Sequence, residues 1–531
     1  MAISFELIIE VIGFLLLVSA FSNRVSYRFN IPILLIFLGI GMAFGSSGLK
    51  VFELDLIDDS KWVNQLATVA FCFILFSGGL GTNMRSIRPV FLHGLSLATI
   101  GVFVTAVVLA GAASLLMKYS FKVDPGPFSS YLLGAALISS TDAAAVFAIM
   151  RGGGLSLKGH LQPLLEFESG SNDPMAFFLT IFTLDIFLGQ RTFSFLSLAT
   201  VFYELSVGAG IGIIMAIGGH YFLRIKLGQE GLYYVSGIAI VLLTFGFATQ
   251  FHANGMMAVY TCGLVLGNLR FNYCHGMRRY NDSLAWLMQV VLFISLGLLV
   301  NPPSLIKEET LTSGIILSFI LIFVARPVAV WISLMFCGYN WREKLFVSWS
   351  GLRGAAPIML ATFPLAAQSQ YPEKLENAEW MFNVMFFMVV ISILFQGSTL
   401  KLASKLLKLD IPMPARPTPP FDWEVTTEHR DKQMFEFDIT KQSQWVGKPI
   451  SELCLSEDVM IVTYRRGGRY IQPQNTTKLK IGDAIMLMGN RVEMRLIATS
   501  KFPEVAYYPI RAFEEQPGMR KILKNMKDLA T

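Results

Sequence analysis

The stretch Glu166-Phe-Glu-Ser-Gly-Ser-Asn-Asp-Pro174 decides the fold class, because it sets three carboxylates inside an apolar run. The run extends over residues 162–189, which is longer than the roughly 20 residues that a helix needs to cross a bilayer. Ionisable side chains at mid-bilayer depth are energetically costly and usually serve a function. The stretch therefore predicts a transmembrane helix that carries a polar site.

Helical spacing sorts the polar residues of this stretch. Ser169 and Asp173 share one face of the helix, whereas Glu168 and Asn172 share the neighbouring face. Pro174 has no amide hydrogen, so one carbonyl of the preceding turn loses its usual helical donor. Oxygen atoms gathered at one depth suit a hard cation. The alternative is a polar seam that only packs two helices together.

Composition supports a membrane protein with a separate soluble part. Of 531 residues, 53% are hydrophobic and only 15% are charged, against about 25% in soluble domains. This argues against a disordered chain, a nucleic-acid-binding protein and one large soluble enzyme. Residues 411–531 nevertheless hold 33 of the 80 charged residues, and they begin with a Pro-rich stretch. We predict a transmembrane domain (1–408), a Pro-rich linker (409–424), a small cytoplasmic α+β domain (425–505) and a C-terminal tail (506–531).

Thirteen apolar stretches are candidates for membrane spans, and the loops between them predict the orientation. Sixteen Lys and Arg residues follow odd-numbered stretches, and seven follow even-numbered ones. By the positive-inside rule, the odd-numbered loops and the C-terminal domain are cytoplasmic, and the N-terminus is outside. We therefore predict an all-α, polytopic membrane protein with about 13 transmembrane helices.

A further acidic residue lies in the preceding span. The stretch Ile138-Ser-Ser-Thr-Asp-Ala-Ala-Ala145 places Asp142 near the middle of an apolar segment. The three hydroxyl residues before it compete for backbone hydrogen bonds and loosen a helix. A locally unwound helix offers carbonyl oxygens to a cation, as in transporters with broken helices. The alternative is a tolerated polar kink, in which Asp142 bonds to a neighbouring helix.

Two arginines also fall inside predicted spans. Arg353 lies between two glycines, and Arg326 directly precedes a proline. A buried arginine without a partner is strongly unfavourable, so Arg353 must meet a carboxylate. The partner of Arg326 and the roles of two further acids, Asp185 and Glu204, stay open.

Three of these motifs carry a family resemblance. Thr141-Asp142, Glu168-Ser-Gly-Ser-Asn-Asp173 and Gly351-Leu-Arg-Gly354 occur in this order. They resemble the motifs of the monovalent cation:proton antiporter family 1, the sodium/proton exchanger group. Within this group the chain looks most like bacterial potassium/proton antiporters with a C-terminal regulatory domain. The resemblance implies two inverted repeats with crossed, partly unwound helices, a homodimer, elevator motion and a place in the bacterial inner (plasma) membrane.

The resemblance also implies roles for the motif residues. It assigns the cation and proton to Asp173, with four companions in the same site, namely Asp142, Asn172, Thr141 and Ser169. It further implies a structural ion pair between Glu168 and Arg353. An Asn-Asp pair marks the electroneutral members of the group. One departure is Ser77, which stands where many relatives carry a glutamate, and this favours potassium over sodium.

The C-terminal domain resembles the C-terminal lobe of potassium-conductance regulators. Its most recognisable turn is Leu479-Lys-Ile-Gly-Asp483. No nucleotide-binding lobe accompanies it, so we expect neither NAD nor ATP to bind. We expect no cofactor and no resident metal beyond the transported monovalent cation at Asp173 and Asp142, and we leave a small regulatory ligand at this domain open.

The sequence-based hypothesis is a secondary antiporter that exchanges K⁺, or Na⁺, for H⁺, and it is not an enzyme. We expect an electroneutral homodimer that contacts lipid, binds no nucleic acid and serves pH homeostasis. The alternative is a ligand-gated cation channel, which needs a Thr-Val-Gly-Tyr-Gly type filter. No such string occurs in the sequence. A permease for neutral solutes has no need for paired acids inside the membrane.

Overall fold

A computed structural model describes residues 10, 13–19, 21–22, 33–45, 60–119, 126–152, 155–192, 194–300, 302–412, 432–440, 443–453, 455–456, 459–467, 469–490, 494 and 497. The chain forms two compact units, Met1–Asp410 and Ile411–Thr531. The predicted tail and most of the predicted linker lie outside the described residues, as does part of the first predicted span.

The first unit is built from helices, which we number α1 to α14 in chain order. They are α1 (Ile33–Phe44), α2 (Ser60–Gly81), α3 (Met84–Tyr119), α4 (Phe128–Leu137), α5 (Ala143–Gly152), α6 (Leu161–Phe187), α7 (Phe195–Leu223), α8 (Glu230–Gln250), α9 (Gly255–Asn268), α10 (Cys274–Leu299), α11 (Glu308–Ser333), α12 (Trp341–Trp349), α13 (Ala355–Gln368) and α14 (Ala378–Leu406). A four-residue helix, Pro302–Leu305, precedes α11. Two short strands, β1 (Leu155–Leu157) and β2 (Asp410–Pro412), complete the elements up to residue 412.

Seven of the described helices are long and apolar enough to cross a membrane, namely α2, α3, α7, α8, α10, α11 and α14. Shorter apolar helices include α1, α4, α9 and α13. The predicted polytopic, all-α architecture is therefore confirmed. The count of about 13 spans stays a prediction, because the predicted spans 130–150 and 343–366 are each divided into two helices, and the first two, 3–22 and 31–48, lie partly outside the described residues.

The helices of the first unit pack into two bundles. The first bundle contains α1, α2 and α7 to α10, and the second bundle contains α3 to α6 and α11 to α14. Close approach within the first bundle depends on glycine. A Cβ atom on Gly263 would lie 2.5 Å from the Phe76 carbonyl oxygen, and one on Gly208 would lie 2.6 Å from the Asn254 carbonyl oxygen. These backbones therefore meet with no side chain between them.

The two halves of the second bundle repeat one order of elements. Each half has a long helix with a π-helical turn, then a broken helix, then another long helix. The π-helical turns of the first long helices are Leu97–Gly101 in α3 and Leu321–Ala325 in α11. The broken helices are α4–α5 in one half and α12–α13 in the other. Because the loops before α3 and α11 are predicted on opposite sides of the membrane, the halves correspond to inverted repeats.

The second unit contains a four-stranded antiparallel sheet. Its strands are β3 (Lys432–Asp438), β4 (Met460–Arg466), β5 (Arg469–Ile471) and β6 (Ala484–Asn490), and their spatial order is β3-β6-β4-β5. Central strand β6 contributes Ile485 and Leu487 to the core beneath the sheet, together with Trp445. The turn before β6 is fastened by Asp483, whose carboxylate accepts hydrogen bonds from the Lys480 amide at 2.7 Å and from Arg466 at 2.6 Å.

Burial alone raises the pKa of the Asp483 carboxyl, but the hydrogen bonds and charges of Arg466 and Lys480 outweigh it and hold this pKa below its usual value. The turn that is most recognisable in the sequence, Leu479–Asp483, is therefore fastened by the ion pair between Asp483 and Arg466. This pair stabilises the sheet.

Candidate ion-binding site

The two broken helices meet backbone to backbone. Residues 138–142 between α4 and α5 are not helical, and neither are residues 350–354 between α12 and α13. At each unwound segment, a serine hydroxyl donates a hydrogen bond to a backbone carbonyl of the preceding helix. Ser139 donates to the Ala136 carbonyl at 2.7 Å, and Ser350 donates to the Val347 carbonyl at 3.1 Å. This is the competition with helical hydrogen bonds that the hydroxyl residues predicted. The crossing itself is a 2.7 Å hydrogen bond from the Asp142 amide to the Leu352 carbonyl.

Asp142 occupies the start of α5. Its Oδ1 accepts a 3.1 Å hydrogen bond from the Ala145 amide, so the carboxylate caps this helix and benefits from the positive end of the helix dipole. Its Oδ2 lies against Gly354 of the other unwound segment, where an added Cβ atom would overlap the carboxylate. The structure therefore combines both interpretations of Asp142. The residue lies in an unwound segment, and its carboxylate also contacts the neighbouring segment.

The polar residues of α6 face this crossing. Ser169 Oγ donates to the Thr141 carbonyl at 2.9 Å and accepts from the Ala143 amide at 3.0 Å. Asn172 Nδ2 donates to Thr141 Oγ1 at 2.6 Å. Asn172 is fully buried, and its Oδ1 has no protein hydrogen-bond partner, which leaves a free acceptor on a residue of the site.

Asp173 lies at the same level. Its Oδ1 accepts a short hydrogen bond from Ser140 Oγ, and Asp142 is near enough for its charge to act on Asp173. The structure thus brings together the five residues of the predicted site. Ser140 joins them although we did not single it out, and its place among three consecutive hydroxyl residues was the available signal.

Tyr260 is a second residue that the sequence did not reveal. It is buried on α9 of the first bundle, and its ring lies against Gly170 of α6, where an added Cβ atom would overlap it. Asp173 lies close to its phenol group. The first bundle therefore presents an aromatic side chain with a polar tip close to the site.

The predicted ion pair between Glu168 and Arg353 is wrong. Glu168 pairs with Arg326, with Arg326 Nη2 at 2.6 Å from Glu168 Oε1, and the two side chains are 1% and 3% exposed. Gly351 permits this pairing, because a Cβ atom there would lie 2.8 Å from Arg326 Nε. Glu168 is therefore the partner of Arg326, which the sequence left open. Glu168 does pair with a buried arginine, as expected, but this arginine is Arg326 and not Arg353.

Arg353 instead binds the unwound segment of the other half. Its Nη1 donates to the Ser140 carbonyl at 2.5 Å, and its amide donates to Ser392 Oγ at 3.1 Å. Its Nε and Nη2 have no protein hydrogen-bond partner. Glu168 and Arg326 are near enough for their charges to act on Arg353. Arg353 therefore fixes the backbone of Ser140, whose hydroxyl group reaches Asp173.

Ser77 also has a partner that the sequence did not indicate. Its Oγ donates a 2.6 Å hydrogen bond to Oδ1 of Asp282 on α10. A carboxylate is thus present at this position of α2, but it is supplied by another helix of the first bundle. The signal in the sequence was Asp282 itself, which closes the polar run at the start of α10.

The arrangement can bind a small cation through oxygen atoms alone. Carboxylate, amide, hydroxyl and carbonyl oxygens converge where two helices unwind, and an opposing pair of helix ends supplies favourable partial charges. No group of three or more His, Cys, Asp or Glu residues suited to a metal ion occurs among the described residues. The fold and site define a class of membrane transport proteins with broken helices.

Comparisons with known proteins narrow this class. The family model described as "Sodium/hydrogen exchanger, transmembrane" matches residues 13–406, and the TrkA-C domain model matches residues 434–499. The chain belongs to the sodium/hydrogen exchanger family. This confirms the resemblance that the three motifs suggested, including the type of its C-terminal domain.

Curated relatives agree with this membership, and a solved structure shares the fold. The K(+)/H(+) antiporter NhaP2 of Shewanella baltica is 33% identical over 502 residues, which cover 92% of this chain and 82% of the relative. The K(+)/H(+) antiporter NhaP of Alkalimonas amylolytica is 33% identical over 500 residues, 93% of this chain and 83% of the relative. The sodium proton antiporter MjNhaP1 of Methanocaldococcus jannaschii has the same fold, with a TM-score of 0.65 and 21% identity over 75% of this chain and 98% of that chain.

Proposed function

We propose that the protein is a secondary antiporter that exchanges a monovalent cation for protons across the cell membrane, with K⁺ favoured over Na⁺. The observation that carries the proposal is the position of Asp173, at the crossing of the two unwound segments and in contact with Ser140. The relatives that are 33% identical over more than nine-tenths of the chain bear the name K(+)/H(+) antiporter.

Asp173 is the group that loads either ion. A carboxylate can hold a proton or contribute to a cation site, and these two states exclude each other. Asn172 and Ser169 hold the Thr141 segment in place through hydrogen bonds at 2.6 and 2.9 Å, so the oxygen atoms around the carboxylate stay preorganised. Exchange then consists of loading one ion on one side of the membrane and releasing it on the other.

The charge count at the site supports electroneutral exchange. Asn172 is neutral, and Asp142 is engaged as the cap of α5. One carboxylate, Asp173, therefore remains to accept either one proton or one monovalent cation. The loaded site has the same charge in both half-cycles, so no net charge crosses the membrane.

We also propose a homodimer with the C-terminal domain on the cytoplasmic side. The loop charges support this orientation. The two acids of the site, Asp142 and Asp173, both lie in the first unit. The C-terminal unit is a separate body, and we propose that it regulates exchange.

Purified protein in liposomes tests the proposal. Proton release should follow an imposed K⁺ gradient, and Asp173→Asn should abolish it, because the amide cannot exchange a proton for a cation. Glu230→Gln is the matched control, since Glu230 lies at the start of α8 and hydrogen-bonds Tyr234 away from the site. Near-normal exchange by the Asp173→Asn variant, in protein that elutes like the parent, would show that this carboxylate does not load the ions.

Voltage tests the charge count. When the membrane potential is clamped at different values, the equilibrium ratio of K⁺ to H⁺ gradients should stay constant. A ratio that shifts systematically with potential would mean that a second proton travels and that Asp142 also titrates. Parallel gradients of Na⁺ and Rb⁺ test the preference for K⁺.

A further inference from the structure

A cavity of about 320 Å³ lies beside the C-terminal half of α6, the helix that also carries Asp173. It is lined by residues from both bundles, among them Phe178, Ile181, Arg191, Glu204, His252 and Asn254. The loops that border it follow the predicted spans at residues 162–189 and 232–250, the sixth and eighth of the thirteen, so the loop charges predict that it lies on the outer face of the membrane. With this orientation, the cavity opens to the outside at the boundary between the bundles.

Arg191 spans this boundary with two ion pairs. Its Nε lies 3.0 Å from Asp185 Oδ2, and its Nη2 lies 3.3 Å from Glu204 Oε1. Asp185 belongs to α6 in the second bundle, whereas Glu204 belongs to α7 in the first bundle. One guanidinium group thus joins the two bundles at the mouth of the cavity, and it accounts for both acids whose roles the sequence left open.

Asn254 continues this connection toward the ion site. Its amide donates to the Glu204 carbonyl at 3.0 Å, and its Nδ2 donates to the Pro174 carbonyl at 3.1 Å. Pro174 directly follows Asp173, and Asn254 itself is buried. A second contact between the bundles therefore ends one residue from the carboxylate that loads the ions.

The two kinds of ion pair in the protein suit different tasks. The Glu168–Arg326 pair lies within the second bundle at 1% and 3% exposure, so its loss leaves a buried charge. The side chains of Arg191 and Glu204 are 35% and 21% exposed, so water can replace their contact at small cost. A solvated pair across a boundary can break and re-form in every transport cycle, which a buried pair cannot.

We propose that Arg191 and Asn254 are positioning residues for exchange, which hold the outer edges of the two bundles together while the site is closed to the outside. This inference rests on the proposed antiport function, because an antiporter must open its site to each side in turn by moving one bundle against the other. Opening to the outside then requires release of Arg191 from Glu204 and of Asn254 from the Pro174 carbonyl.

Accessibility of the cavity tests the inference without using transport. Ile181→Cys places a thiol in the cavity wall, in a chain whose Cys274, Cys337 and Cys454 are replaced by alanine, while Cys72 and Cys262 are buried. In liposomes, a membrane-impermeant maleimide added outside should label this thiol about fivefold faster in the Arg191→Gln variant. Loss of a contact worth about 1 kcal/mol raises the population of the open state by about this factor. Lys307→Gln is the control, because it removes a charge from another loop of the same predicted face.

Three further variants keep the test decisive. Glu204→Gln should accelerate labelling in the same way, whereas Arg191→Lys should restore much of the parent rate because it keeps the positive charge. In exchange assays, the Arg191→Gln variant should change the maximal rate and leave the K⁺ concentration for half-maximal rate within about twofold, since the ion ligands are unchanged. For Asn254, replacement by aspartate removes the donor to Pro174 and should also accelerate labelling.

The outcomes separate the two proposals. Equal labelling of the parent, Arg191→Gln and Glu204→Gln proteins would overturn the role of Arg191, even if the parent exchanges ions normally. A shift confined to the K⁺ dependence, with an unchanged maximal rate, would also overturn it. Absence of exchange in the parent would instead contradict the antiport function, while the labelling rates would still report whether Arg191 holds the bundles together.

Discussion

Removing the Arg326 side chain should destabilise the membrane unit more than removing the side chain of Arg353. Arg326→Gln leaves the Glu168 carboxylate buried at 1% exposure without its 2.6 Å partner. Breaking one half of a buried ion pair costs about 3–5 kcal/mol. Arg353→Gln is the matched comparison, because Arg353 is equally buried but donates to a backbone carbonyl.

The cost converts into a measurable shift. Unfolding entropy of about 2.1 cal/mol/K per residue, applied to the unit Met1–Asp410, amounts to about 0.9 kcal/mol/K. A loss of about 4 kcal/mol then lowers the melting temperature by about 5 °C if the unit unfolds cooperatively. Thermal melting of detergent-purified protein, followed by size-exclusion chromatography, measures this shift.

A double-mutant cycle identifies the partner. Glu168→Gln combined with Arg326→Gln should recover much of the loss of the single variants, because neither charge is then stranded. Glu168→Gln combined with Arg353→Gln should show the smaller coupling. A larger coupling with Arg353 than with Arg326 would refute the pairing and restore the one expected from the sequence.

Other changes have equally defined outcomes. Gly354→Ala should abolish exchange or expression, because its Cβ atom would overlap the Asp142 carboxylate, and Gly338→Ala, which has open space, is the control in the same liposome assay. Ser140→Ala should weaken the apparent K⁺ affinity about tenfold, the effect of losing a hydrogen bond to a charged group, as read from the K⁺ dependence of proton release. Deleting the residues after Pro420 should leave exchange intact and alter its dependence on pH or ligand, and a truncated protein that inserts but never exchanges would contradict a purely regulatory domain. Because the pKa of Asp483 is lower in the folded state, its stabilising effect is present above the unfolded value of about 3.9 and is lost as the pH falls through the lower folded value; Asp483→Asn should therefore make the C-terminal unit protease-sensitive already at pH 7, and equal protease resistance of the two proteins would exclude this role.

The sequence by itself determined the features that depend on neighbouring residues. Hydrophobic runs define membrane helices because burial in lipid requires about 20 apolar residues in succession. The consecutive hydroxyl groups before Asp142 predicted an unwound segment, since their competition with helical hydrogen bonds operates over three or four residues. Spacing placed Ser169 and Asp173 on one face of their helix, whereas the full set of Thr141, Asp142, Ser169, Asn172 and Asp173 came from the resemblance of the motifs to a known family.

Only the tertiary structure decided which distant residues pair. Glu168 could meet either of two buried arginines, and the choice of Arg326 depends on how α11 passes the unwound segment at Gly351. Ser77 and Asp282 are 205 residues apart, and nothing local to either one specifies the other. Arg191, Asp185 and Glu204 are near in sequence, but only the placement of α6 and α7 in different bundles shows that Arg191 links the two bundles. Such pairings are set by the rotation and spacing of packed helices, and these follow from the sum of many contacts, which no short stretch of sequence contains.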